Sequence, residues 1–406
     1  MNLSNKKLTE RELQIITSTL DEVIDKYTAN ENYILENPSD RKPLLFAIKS
    51  LFPKKRTCII PGCSLHSIKH SHTIQKSHSL KLIAENNHVY TPLFSKITGV
   101  VEMQREGINQ ASTFPGFCRT HEALFHVFEK TKNLNSNEAM LLQIFRTIAR
   151  EIVRNEAHLN DITKTKKDYL AFRKNKLLTI LEREIKNKLP NISSLPHSLT
   201  IDCQDSKLDI LNKKTKEFSS EIEMLRQTFF IPLYRHLFTD PGYSPPLYIA
   251  NMSANQQIPV CLAGRANFVV DHNGETYDIP IIINTLPLEK TSVLFLVTHT
   301  KYTSHLNHYI NTYQRSGLPA LNMIETWMVR GSDHWFIKPS IWDNLPSTRK
   351  NRICTDIMDT RFNTGTIYTL SIFNSIRENA INDYVANSPN IDPSIQKQME
   401  NERKKL

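Results

Sequence analysis

Two pairs of soft donors constrain this chain more than any other feature. Cys58 and Cys63 enclose four residues, and Cys118 and His121 enclose two. Thiolates and imidazoles paired at such spacing are the ligands that tetrahedral zinc takes. A chain that closes both pairs on one ion must bring residues 58 and 118 together, whatever lies in the 54 residues between Cys63 and Cys118. Gly62, inside the first pair, permits the tight turn this requires. Three of the six cysteines and six of the fifteen histidines lie between Cys58 and Glu122, so donor chemistry concentrates in one stretch. Cys203, Cys261 and Cys354 are scattered and read as free buried thiols of a reducing compartment.

The same stretch is basic. No Asp or Glu occurs from Arg41 to Ala84, while nine Lys or Arg do, and the whole chain carries +10. An excess confined to one segment favours a polyanion such as nucleic acid as partner. Lys54, Lys55, Arg56, Lys69 and Lys76 are the candidate phosphate contacts, with His66, His70 and His78 alongside. The aromatics Tyr90, Phe94, Phe114 and Phe117 fit a packed core better than base stacking. A second basic excess, Thr163 to Pro190, reads as the solvated face of a helix. No run approaches the ~18 apolar residues of a membrane span, and no apolar segment opens the chain. A cytoplasmic protein without membrane contact is expected.

Periodicity gives an α+β chain of five segments. Residues 1–55 read as helices, with Thr9 and Glu12 as a capping box and a short helix from Leu44 to Phe52. Residues 56–130 are the zinc module, with loop expected over 91–116. Residues 131–240 read as helical: one helix from Glu138 to about His158, a lysine-rich one over 165–189, and a third. In the third, Leu208, Leu211, Thr215, Phe218, Ile222, Leu225 and Phe229 step by three and four. A long antiparallel hairpin within one chain, or a homo-oligomer joined through residues 165–230, satisfies that seam. Residues 241–388 read as a C-terminal α/β domain. Its mainly antiparallel sheet has strands near 258–270, 279–286 and 292–298, and a hairpin turn over Asp271 to Glu275. Residues 389–406 read as a polar tail.

A zinc knuckle, a Ser71-His72 pair and a second knuckle opening a helix together resemble the treble-clef module of HNH-type endonucleases, over about 65 of the 406 residues. The resemblance implies structural zinc on Cys58, Cys63, Cys118 and His121. It implies His72 as the general base and Glu122 as a ligand of Mg²⁺ or another divalent ion shared with His72. Asn109 would be the middle residue of the motif. Ser71 stands where that family has Asp, and Glu122 where it has His. A carboxylate can hold Mg²⁺, so the second change is chemically tolerable. The basic zinc module followed by helices and an α/β domain also resembles uncharacterised bacterial proteins, some of the sort found near phage-defence genes.

Two other readings stand beside this one. The zinc can staple a non-catalytic module that binds nucleic acid or builds an assembly. Alternatively, Arg119 with His126 resembles the Arg–His pair of HEPN-type ribonucleases, and Arg154 with His158 falls one residue short of that spacing. No phosphate-binding glycine loop of the Walker or dinucleotide type occurs, so nucleotide-driven chemistry has no support. His299 and the Asp333-His334 pair are further polar residues without an assigned role.

Overall fold

The computed structural model describes residues 8–34, 52–53, 55–95, 98–131, 134, 136–192, 205–272, 274–359, 363–387 and 392–406. The expected helix from Leu44, together with Lys54 and Cys203, lies outside them. The architecture is α+β. The chain divides into two compact units, Met1–Leu51 with Asn155–Ile222, and Phe52–Arg154 with Glu223–Leu406. These units cut across the five segments read from the sequence.

The first unit is helical. Helix α1 (Glu10–Ala29) starts at a complete capping box, where the Glu12 carboxylate accepts from the Thr9 N–H at 2.7 Å. Its Ile16, Val23 and Tyr27 pack against Leu177, Ile180, Leu181 and Ile185 of helix α2 (Asn137–Lys188). One helix of 52 residues replaces the two expected over 138–189. No Pro or Gly lies between Ser136 and Pro190, so nothing interrupts its backbone ladder. Helix α3 (Ser206–Met224) runs antiparallel to α2. His158 stacks on Phe218 at 5.2 Å, Lys166 donates to Asn212 at 2.6 Å and Tyr169 donates to Asp205 at 2.5 Å. Asp205 also caps α3 through the Lys207 N–H and accepts from Tyr27, which ties α1 to the hairpin.

The second unit is built on a seven-stranded antiparallel sheet in the order β3-β2-β9-β6-β7-β8-β5. The strands are β2 (His88–Ser95), β3 (Val100–Gly107), β5 (Leu247–Ala254), β6 (Val260–His272), β7 (Glu275–Pro287), β8 (Ser292–His299) and β9 (Trp335–Ile337). Strands β6 and β7 meet at the expected turn, with His272 opposite Glu275. Leu262, Phe268, Ile281, Ile283, Leu294 and Leu296 face a core with helices α4 (Thr303–Gln314) and α5 (Pro319–Arg330). Asn284, whose side chain points the other way, meets Gln143 and Thr147 of α2.

One expectation fails here. Residues 91–116 are not a loop, because most of β2 and all of β3 fall there. The three residues of β9 bridge β2 to β6, Tyr90 pairing with Ile337 and Ile337 with Val260, so the zinc-module interval shares one sheet with the C-terminal strands. The polar tail carries a helix. Asp392 caps helix α6 (Pro393–Arg403), which buries Met399 and sets Glu402 against the buried Arg377. Among the described residues, no helix is long and apolar enough to cross a membrane.

Candidate metal centre

The first pair of donors is shaped by its own turn. Gly62 adopts φ +76, Cys63 N–H donates to the Ile60 carbonyl at 3.1 Å, and Cys58 N–H to Leu65 at 2.8 Å. Two backbone bonds then stitch this loop to the second pair, Ile59 to Gly116 at 2.9 Å and Ile68 to Phe117 at 2.8 Å. Strands β1 (Ser71–His72) and β4 (Thr113–Phe114) pair antiparallel beside it. The long sequence interval is therefore an insertion: it leaves through β1, builds β2 and β3 into the large sheet, and returns through β4. Cys118 then precedes a one-turn helix, Arg119–Glu122, that presents His121. An aromatic ladder holds the module on α2: Phe117 lies 4.8 Å from Phe125 and 6.2 Å from Phe145, which stacks on Phe230 at 4.7 Å.

The four donors converge. One ligand atom each of Cys58, Cys63, Cys118 and His121 lies within 4.8 Å of all the others. His121 Nδ1 is 3.4 Å from Cys58 Sγ and 3.3 Å from Cys118 Sγ, and Cys63 Sγ is 4.0 Å from Cys118 Sγ. A tetrahedral zinc-like ion, with its bonds of about 2.3 Å to sulfur and about 2.0 Å to nitrogen, sets these edges near about 3.8 Å and about 3.5 Å. The tetrad can thus hold a metal ion such as zinc. Burial, reinforced by the neighbouring thiols, pushes Cys58 up to about 11. Burial also raises Cys118, but the His121 N–H and the two neighbouring sulfurs outweigh it, so that thiol stands below its ordinary value. Crowded thiols that resist ionising one another are relieved by a cation that replaces their protons.

His72 lies in β1, half-buried, with the Ile108 backbone near its ring. Burial lowers its pKa to about 4, with the Arg146 charge adding to the shift and the Ile108 carbonyl opposing it. The ring is neutral near pH 7, and its Nε2 is buried without a hydrogen-bond partner. Neighbouring Asn109 accepts from Lys76 Nζ at 3.1 Å.

Glu122 is placed by a residue that sequence reasoning missed. Arg146, on α2 and fully buried, donates to one Glu122 oxygen and, at 2.8 Å, to Glu129. Its guanidinium sits 4.3 Å over the Phe125 ring. The second Glu122 oxygen is buried without a partner, and no hydrogen bond joins Glu122 to His72. One turn earlier on α2, Gln143 donates to the Thr73 carbonyl at 3.1 Å, directly after His72. Gln143, Arg146, Thr147, Arg150 and Glu151 recur at the spacing of one helix face. The fold buries all five.

The other expected residues are distributed as follows. Lys55, Lys69 and Lys76 are exposed around the module, and Arg56 is half-buried. His66 and His70 are exposed, whereas His78 is buried. Phe114 and Phe117 are core residues, while Phe94 is half exposed to solvent. Arg119 and His126 are both exposed, and Arg154 is paired with Asp333 while His158 stacks on Phe218. His334 is pinned at 2.5 Å to the Ala263 carbonyl, and His299 accepts from the Lys301 N–H, so both are held by local structure. No family model, no curated protein and no solved structure matches this chain.

Proposed function

We propose that Cys58, Cys63, Cys118 and His121 hold a structural zinc ion, and that the module they close acts on nucleic acid as an HNH-like hydrolase with His72 as the general base. The observation that carries this reading is the local order of parts. A knuckle leads to a strand bearing a neutral histidine, and that strand pairs with the strand entering the second knuckle. A base that works near neutral pH must be unprotonated, and His72 meets that condition.

Zinc supplies no reacting atom in this account. It fixes the two loops that carry the site, as structural zinc does where a local core is small. His72 takes a proton from water, the water oxygen attacks phosphorus, and the leaving ester oxygen is protonated from solvent. Lys55, Lys69 and Lys76 position the strand through its phosphates.

One observation favours a second reading, that of a non-catalytic zinc-stapled binder. His72 Nε2 is buried, so a substrate phosphate would have to open the site to reach it. Cleavage assays on single- and double-stranded DNA and RNA separate the two, using zinc-verified wild type and His72→Ala. Loss of cleavage with binding and zinc content intact supports the hydrolase. Binding without cleavage in both proteins supports the binder.

A further inference from the structure

We infer that Arg146 is the resident cation of the His72–Glu122 site, and that the site therefore takes no second divalent ion. The inference rests on reading His72 and Glu122 as one site. The HNH-type resemblance implies a divalent ion at this place, and the residues present do not fit one.

Charge and coordination both argue against the ion. Arg146 is fully buried and bonded to two carboxylates, Glu122 and Glu129. Phe125 lies beneath its guanidinium, and Gln143 pins the same helix face to the strand of His72. The cation is thus built into a long helix and cannot leave without disrupting that contact. Two carboxylates, one guanidinium and a neutral imidazole leave one negative charge, and Lys76, held on Asn109 beside Ile108, supplies the matching positive. Mg²⁺ keeps several waters and is held through one or two carboxylates, and both carboxylates here already accept from Arg146. Glu122 has one oxygen left, because Arg146 occupies the other. A divalent ion there would face a fixed guanidinium in a place of low dielectric, where like charges repel strongly.

The two buried acceptors that remain, Glu122 Oε2 and His72 Nε2, are each without a partner. A neutral donor can satisfy either atom without adding charge.

The test uses the full chain loaded with zinc and free Mn²⁺ as probe, followed by electron paramagnetic resonance. Wild type is expected to bind no Mn²⁺ that Glu122→Gln abolishes. Arg146→Met, which strips the carboxylates of their cation, is expected to gain one Mn²⁺ and a higher melting temperature with it. A wild-type Mn²⁺ equivalent that vanishes in Glu122→Gln overturns the inference, as does a folded Arg146→Met protein that gains none. Mn²⁺ uptake that Glu122→Gln leaves unchanged lies elsewhere and counts as none at this site. Should Arg146→Met fail to fold, the wild type and Glu122→Gln decide. Because no cleavage is read, failure of the hydrolase reading leaves the Mn²⁺ count unaltered.

Discussion

Arg146 reaches across from the long helix to Glu122, the residue directly after the candidate ligand His121. One contact therefore joins the metal centre to the interior of the second unit. The guanidinium serves Glu129 as well, so two acidic groups from the short helices after Cys118 depend on one buried base.

Arg146→Ala leaves both carboxylates without their partner. Removing one side of a buried ion pair costs about 3–5 kcal/mol. Arg146→Lys is expected to recover only part of this, because one ammonium cannot reproduce a planar fork between two acids. Urea unfolding of the zinc-loaded proteins gives both values.

His72 makes stability depend on pH in a defined direction. Its folded pKa of about 4 lies below the ordinary 6.5. The unfolded chain therefore takes up the proton first as pH falls. Stability is lost between about pH 6.5 and pH 4 and levels off below that window, with about 2 kcal/mol at stake after allowing for partial exposure. His72→Gln has no such proton to take up. The difference between wild-type and His72→Gln urea midpoints is expected to shrink on acidification through this window. A difference constant with pH would contradict the depressed value.

Gly116 is a packing position. A Cβ there would lie 2.2 Å from Phe114 Cε2, and the Phe114 ring has Phe117 5.9 Å away on the aromatic ladder. Gly116→Ala must push a buried ring, at a cost of about 1–3 kcal/mol. Because the Gly116 carbonyl holds Ile59 beside Cys58, the variant is also expected to release metal to a chelator faster than wild type.

Lys69→Glu and Lys76→Glu test the basic surface. Each lysine that contacts a phosphate adds about one unit to the slope of log affinity against log salt. Both variants are expected to weaken nucleic-acid binding at low salt and flatten that slope. Unchanged slopes in both would place the nucleic-acid face elsewhere.

The donors were legible because metal ligation needs few residue types at short spacing, and Cys58, Cys63, Cys118 and His121 show that spacing without help from the rest of the chain. The capping box at Thr9 and the β6–β7 turn were legible for the same reason, as local chemistry. What escaped was non-local. Strand β9 has three residues, too few to show a period, yet it joins β2 to β6. Strand β2 carries Pro92, which argues against a strand unless its neighbours supply the pairing. Arg146 lies in a polar stripe that amphipathic patterning assigns to water, and only the fold shows that the stripe faces a polar interior. The break expected in the long helix came from a change in composition, although no Pro or Gly was present to cause one.

The module closes only if the four donors share one ion. Metal analysis of the purified chain, followed by cobalt substitution, measures this directly. The account predicts one zinc per chain, replaceable by one cobalt whose absorption shows a tetrahedral ion with thiolate charge transfer, and lost in Cys118→Ser. A folded chain without stoichiometric metal, or cobalt bound without thiolate bands, would contradict it.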